Sequence, residues 1–388
     1  MSKMPKVLVL LNKSRIADRL ILRGIVRYSH LSNSLKILLL APFYQQPGGK
    51  LRALSEVENQ RVDGIIANID SAQMNKSLIA AGLPAVMIPI KKRIPGFHLI
   101  LDDKNTPGKT AAEYLLNLGL RKFAFCGFEN LIWSQMRSEQ FSKAIAAAGF
   151  QTHSYRLPRL KVQRLWENEQ IILGDWLKSL PKPIGLMACN DDRAQYVLEA
   201  CQMASLRVPD DVAVIGVDND ELICDLTTPP LSSIALNHEK AGYQAAQLLD
   251  KMMAGEKVDS KTTISLQSLH VVSRQSTDVL AIEDHDLVKA IRFIRQHSNK
   301  VIQVTDVVDH GVLSRRALER RFRKILRRSV FDEIKRTRVE HVCRMLLTTN
   351  LSVSQIALRM GYSNNKHIGR SFRREKGMTP LQYRKEFG

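Results

Sequence analysis

"VSQIALRMGYSNNKHIGRSFRREKGMTPLQYR" occupies residues 353–384, close to the end of a chain of 388 residues. Its reading decides how the rest of the chain divides. A short amphipathic run with Ile356 and Ala357 inward is broken at Gly361. A polar helix then starts near Ser363 and carries Asn364, Asn365, Lys366, His367 and Arg370, anchored by Ile368 and Phe372. Glycine permits the left-handed backbone that a tight turn wants, and serine caps the helix that follows. "VTDVVDHGVLSRRALERRF" (304–322) repeats the plan. Val307 and Val308 precede Gly311 and Ser314, and the next helix carries Arg315, Arg316, Glu319, Arg320 and Arg321 on the anchors Leu318 and Phe322. This is helix-turn-helix grammar, written twice. Between the copies, "FDEIKRTRVEHVCRMLL" (331–347) has helical apolar spacing and predicts a rigid connector. Two helices joined in this way reach successive major grooves about 34 Å apart, where Arg, Lys and Asn read base edges. For any single arginine, a phosphate contact or a solvated helix face is the plainer role.

Charge agrees with this division. The formal net charge is +20. From His285 to the end there are 24 Lys+Arg against 9 Asp+Glu, and the first 284 residues hold 34 against 29. Most of the excess therefore sits in the last quarter, which points to a polyanion partner. The five cysteines, Cys126, Cys189, Cys201, Cys224 and Cys343, show no CxxC pair and read as reduced thiols. The start has only a short apolar run between Lys6 and Lys13, and no run is long enough to span a membrane. The expectation is a cytoplasmic protein with no membrane partner.

Upstream the pattern changes. Short apolar runs read as buried parallel strands: "KVLVLL" (6–11), "LKILLL" (35–40), "VDGIIA" (62–67), "PAVMIPI" (84–90), "KFAFCG" (122–127), "IGLMAC" (184–189) and "VAVIGV" (212–217). Helical periodicity fills most intervals, as in 110–120, 137–150 and 193–204. This alternation predicts α/β sheets with helices on both faces, arranged as two lobes. Ligands of such sheets bind beyond the carboxyl ends of strands. Candidate positions are therefore Asn12 to Asp18, Asp102 and Asp103, Asn190 to Asp192, and Asp218 to Asp220. The reading places a two-lobed regulatory domain at 1–272, a linker at 273–285 and an all-α domain with two helix-turn-helix units at 286–388.

The order Ile-Ala, Gly-Tyr, Arg-x-Phe, Gly-x-Thr-Pro and Tyr-Arg in the last hundred residues resembles the DNA-binding domain of the arabinose-regulator (AraC) family. That resemblance implies Arg316, Glu319 and Arg320, then Asn365, Lys366 and Arg370, as base contacts, with Arg315 and Asn364 beside them. Arg327 departs from the family's usual glycine, Val342 departs from its alanine, and Gly369 loosens the second recognition helix. "VPDDVAVIGVDND" (208–220), "TTPPLSSIALNHEKAGYQAAQLLDKMMAGE" (227–256) and "LDDKNTPGKTAAEYLLNLGLRKFAFCG" (101–127) resemble the sugar-binding core of the lactose-repressor family, akin to periplasmic sugar-binding proteins. That family carries its DNA headpiece in front of the first strand; here the C-terminal helices are expected to replace it. The combination resembles the bacterial xylose-operon regulators over nearly the whole chain.

Sugar hydroxyls want carboxylate, amide and guanidinium partners and an apolar or aromatic wall. The lactose-repressor resemblance implies Asp103, Arg137, Asn190 and Asp218. Asp18 and Arg19 open the helix after the first strand and are placed to close the pocket. His238 marks the crossover back to the first lobe, and Trp133 offers a stacking face. Plainer roles stand beside these: Asp191 and Asp192 as helix caps, Trp133 as core.

Enzyme classes find little support. "TPGKT" (106–110) has Asp103 where a phosphate loop needs glycine, and "QPGGK" (46–50) is followed by Leu51. HExxH, GxSxG and GxGxxG after a strand are absent. The expectation is a sugar-responsive regulator, an activator of pentose genes, acting as a homodimer on promoter DNA with RNA polymerase in contact and no cofactor. A repressor, or a regulator of another sugar or a sugar phosphate, is the near alternative; Lys13, Arg15 and Lys109 leave phosphate open. A sugar-binding protein without sequence-specific DNA binding is the distant one.

Overall fold

The computed structural model describes residues 4–39, 62–68, 82–91, 93, 96–158, 166–259, 262–278, 284–326, 328–362 and 365–387. The first lobe is built on β1 (Lys6–Leu10), β2 (Lys36–Leu39), β3 (Gly64–Ala67), β4 (Ala85–Met87), β5 (His98–Asp102) and β11 (Thr263–Leu266). They form one parallel sheet in the order β11-β5-β4-β3-β1-β2. The second lobe holds β6 (Phe123–Cys126), β7 (Thr152–Ser154), β8 (Ile184–Ala188), β9 (Val212–Val217), β10 (Ser232–Leu236) and β12 (Ser268–Val272), ordered β12-β10-β9-β8-β6-β7. Among the described strands only β12 runs antiparallel. The central strands are buried along their whole length because apolar layers cover both faces of each sheet. The chain crosses between lobes after Asp102, after Leu236 and after Leu266.

Seven of these strands coincide with the apolar runs of the sequence. β5, β7, β10, β11 and β12 were not among them; each is short or mixes polar residues into its pattern.

Among the described residues, seven helices accompany the sheets: α1 (Ile16–Ser32), α2 (Gly108–Asn117), α3 (Ile132–Ala147), α4 (Trp166–Ser179), α5 (Asp191–Met203), α6 (Glu221–Leu226) and α7 (His238–Met253). α1 and α7 cross at two glycines. A Cβ on Gly24 would lie 1.9 Å from the Glu239 carbonyl, and one on Gly242 would lie 2.0 Å from the Ile21 carbonyl. This close approach brings Asp18 and His238 to the same end of the helix pair.

The assigned linker begins too early. Ser276 and Thr277 are fully buried. Ser276 donates to the Val214 carbonyl at 2.6 Å, and the Ser232 and Thr277 hydroxyls lie 2.6 Å apart. Short hydroxyl side chains there satisfy the strand edge, so 273–278 belongs to the second lobe, although its polarity reads as linker.

The all-α part starts with α8 (His285–Gln296), whose first turn is capped by Asp284, and continues with α9 (Val304–Asp309) and α10 (Arg315–Leu326). α11 (Val330–Thr348) joins this group to α12 (Val353–Arg359), α13 (Asn365–Lys376) and α14 (Pro380–Phe387). Each group has its own core, around Phe322 in the first and Phe372 in the second. Gly361 takes the left-handed backbone, with φ 67°. Gly311 does not, contrary to expectation. A Cβ there would meet nothing closer than 3.7 Å, so that turn accepts a side chain. Among the described residues no helix is long and apolar enough to cross a membrane.

Candidate ligand cleft and nucleic-acid interface

A cavity of about 90 Å³ lies between the lobes. The first lobe contributes Arg15, Asp18, Asn68, Ile88, Pro89, Ile100, Asp102 and Leu266; the second contributes Trp133, Arg137, Asn190, Asp191, Asp192, Asp218, Asp220 and Ile223, and His238 stands at the crossover. Most of the polar residues sit at strand ends or helix starts, where sheets of this type present side chains to a ligand.

Arg137 is the centre of the second-lobe wall and is 3% exposed. Its Nε donates to Asp102 Oδ2 at 2.7 Å, its Nη1 to the Cys189 carbonyl at 2.6 Å, and its Nη2 to Asp218 Oδ1 at 3.3 Å. The pair with Asp102 spans the cleft. Burial works against the guanidinium charge, but Asp102 and Asp218 more than offset it and hold its pKa above the ordinary value. Burial likewise pushes Asp218 up, yet Arg137 and then His238 keep its carboxyl below the usual range. The Trp133 ring meets two cations, its centroid 5.2 Å from the Arg137 guanidinium and 5.7 Å from that of Arg15.

Asp18 faces the cavity from the first turn of α1. Its Oδ2 accepts the Asn12 amide at 2.8 Å, and Asn68 Nδ2 lies 3.3 Å from each carboxylate oxygen. Burial raises its pKa against those hydrogen bonds. His238 Nε2 stands 3.3 Å from Asp218 Oδ1. Asn190 lines the cavity and also caps α5, accepting from the Arg193 amide at 3.1 Å. Asp191 does not cap that helix. It is buried and takes the Ser233 hydroxyl at 2.5 Å and the Asp220 amide at 2.7 Å, and burial, with Asp218 near, raises its pKa well above the ordinary value. Asp192 pairs with Arg15 at 3.1 Å.

Two expected residues lie elsewhere. Asp103 points away from the cavity, its Oδ1 accepting the Asn105 amide at 2.9 Å, while Asp102 takes the inward place. Successive side chains of an extended strand alternate in direction, so an offset of one residue exchanges the faces. Arg19 is exposed, donates to the Ser14 carbonyl at 2.8 Å and pairs with Asp220 at 3.5 Å. It follows Asp18 by one residue, about 100° around the helix. Asn68 was missed, whereas Asp102, named beside Asp103 as a strand-end candidate, is the one of that pair that lines the cavity. Asn68 immediately follows a strand, and that position was the available signal. Lys109 is turned to Glu113 at 3.7 Å, away from the cleft.

The second candidate surface is the pair of recognition helices. On α10, Arg315, Arg316 and Arg320 are exposed. Glu319 is half-buried, and its Oε2 is buried without a protein partner. Arg321 faces inward and holds Asp284 at 2.7 Å. On α13, Arg370 is exposed and Ile368 and Phe372 are buried. Asn364 and the side chains of Asn365 and Lys366 lie outside the described residues. The helical part docks on the second lobe: Tyr383 Oη donates to the Leu269 carbonyl of β12 at 2.6 Å, and Arg328 Nη1 donates to Asn117 Oδ1 at 3.0 Å.

A two-lobed cleft joined to two helix-turn-helix units defines a sugar-responsive, DNA-binding transcription regulator. Comparison with known proteins agrees. Residues 112–277 match the periplasmic binding protein-like domain family and residues 310–386 a helix-turn-helix domain family. A xylose operon regulatory protein of Haemophilus influenzae is 30% identical over 98% of both chains. Its counterpart in Escherichia coli is 27% identical over 99% of this chain and 97% of that protein. A solved structure described as the xylose-binding transcription activator xylR superposes with a TM-score of 0.61 at 27% identity, covering 99% of each chain. The chain belongs to the xylose operon regulatory protein family.

Proposed function

We propose that this protein is a cytoplasmic, homodimeric activator of pentose-catabolic genes that responds to D-xylose. We place its regulatory unit at residues up to 278 and its DNA-binding unit from 284 onward. The observation that carries the reading is the cleft itself. It offers carboxylates, an amide, a guanidinium and a tryptophan face around a small cavity between the lobes. Six aspartates line it against two arginines, and each of those arginines is already paired with an aspartate. A neutral polyol suits that field; a sugar phosphate is repelled by it.

Asp18, Trp133, Arg137, Asn190, Asp218 and His238 would hold the sugar, together with Asn68 and Asp102. Arg315, Arg316, Glu319 and Arg320, with Asn364, Asn365, Lys366 and Arg370, would meet DNA, with RNA polymerase as a further partner. Sugar binds the closed arrangement better than the open one and so shifts the population toward it. The route outward is short. Asn237, next to His238, exchanges hydrogen bonds with Gln267, whose amide lies 2.7 Å from Asn237 Oδ1. Gln267 leads directly into β12, the strand on which the helical part docks. In a dimer this movement resets the spacing of two DNA-binding units, which engage paired half-sites only when both reach. Calorimetric titration with D-xylose, L-arabinose, D-ribose and D-glucose tests the ligand. Saturable binding of D-xylose alone is expected, and silence with all four removes the sugar assignment.

A further inference from the structure

Two polar atoms of the cleft have no protein partner. Asn68 Oδ1 and His238 Nδ1 are both buried, and both belong to residues that line the cavity. Buried polar atoms are nearly always hydrogen-bonded, so a pair of orphans in a binding cavity points to groups that a ligand supplies.

The remaining contacts fix what those groups must be. Asp18 accepts the Asn12 amide at 2.8 Å. Asn68 turns its NH₂ toward Asp18, where Nδ2 lies 3.3 Å from each carboxylate oxygen. Its Oδ1 is then left as an acceptor. The same logic holds at His238. Asp218 Oδ1 already accepts from Arg137 Nη2 at 3.3 Å, so His238 Nε2, also at 3.3 Å, carries the proton it shares with that oxygen. In a neutral imidazole the other nitrogen is then an acceptor. Both orphans thus ask for donors.

They also share one side of the cleft. Asn68 follows β3 of the first lobe, and His238 opens α7, which packs against α1 and the first sheet. On the opposite wall, Arg137 satisfies Asp218, Asp102 and the Cys189 carbonyl within the protein. Arg137 and Asp218 on the second wall thus have protein partners, and the first wall has unfilled acceptors.

We propose that Asn68 and His238 form an acceptor pair that reads two separate ligand hydroxyls as donors, and that Asn68 is thereby a specificity-determining residue of the cleft. The inference rests on the sugar reading of the site. It requires a hydroxyl hydrogen at both positions. An ether oxygen or a missing hydroxyl at either position leaves a buried acceptor empty.

The test is calorimetry of the full chain with D-xylose and its mono-deoxy and mono-O-methyl analogues, using the wild type, Asn68→Ala and His238→Ala. In the wild type, two of the positions should each lose about tenfold or more in affinity on deoxygenation or methylation. Asn68→Ala should remove the penalty at one of them only, and His238→Ala at the other only. Asn68→Ser, which keeps an acceptor and disturbs packing least, should restore part of the discrimination. Penalties that persist unchanged in Asn68→Ala and Asn68→Ser, or O-methyl analogues that bind like the parent sugar, overturn the acceptor pair alone. A wild type that binds no neutral pentose overturns the proposed function and the pair with it.

Discussion

The cleft and the recognition helices use arginine in opposite ways. Arg137 is 3% exposed and directs its donors to Asp102, Asp218 and a carbonyl. Arg315, Arg316, Arg320 and Arg370 are exposed and make no ion pair among the described residues. A buried guanidinium holds its surroundings in one arrangement, since removing either partner leaves a charge stranded in the interior. An exposed guanidinium adds little to folding and keeps its donors for phosphate or base edges. Small-ligand recognition is thereby tied to the stability of the lobes, and DNA recognition is nearly free of it.

That contrast breaks most easily at Asp102. Asp102→Ala strips Arg137 of its shortest ion pair and should destabilise the fold by about 3–5 kcal/mol in chemical denaturation. Arg316→Ala should change stability by no more than about 0.5 kcal/mol. Similar losses for the two would erase the distinction.

On the DNA side, Arg370→Ala should weaken the specific site by about 1–3 kcal/mol, measured by titration of labelled duplexes. A uniform loss on every sequence would reassign Arg370 to the backbone, with a shallower salt dependence.

Between the two regions lies His270 on β12. Burial, and then the charges of Arg344 and Lys376, lower its pKa from 6.5 to about 4. A group depressed in the folded state contributes its stability above its unfolded pKa and loses it as pH falls toward the folded one. The docking of the helical part should therefore weaken between pH 6.5 and about 4. Thermal scans of His270→Gln should show a smaller fall over that window; an identical fall would place the titrating group elsewhere.

A modest effect is expected at Tyr383. Tyr383→Phe removes one hydrogen bond to β12 and should cost about 1 kcal/mol. A DNA response to sugar that survives this substitution intact would mean that the Tyr383 contact does not transmit the signal.

The helical part was the more legible in sequence. Its spacing pattern is complete within about twenty residues of chain, and amphipathic periodicity alone separates Phe322 and Phe372 from the exposed arginines. Its misreading was Gly311, where a glycine was taken to require a left-handed turn. The cleft was legible only in part, because its lining comes from many segments. Asp18, Trp133, Arg137, Asn190, Asp218 and His238 do line the cavity. Asp102 and Asp103 were both legible as a strand-end pair with opposite faces, but the family resemblance pointed to Asp103, and the member that lines the cavity is Asp102. Asn68 follows "VDGIIA" directly, and the rule that ligands meet polar residues after strands would have found it. The buried hydroxyls of 273–278 show the reverse error: polarity reads as linker when the partner is a strand edge far away in sequence.

The most direct test of the account is a footprint of the full-length protein on its promoter DNA, with and without D-xylose at saturation. The account predicts that sugar raises affinity and extends protection over two adjacent half-sites. Tight sugar binding with an unchanged footprint and unchanged DNA affinity would contradict it, because cleft and helices would then be two binding sites sharing a chain without coupling.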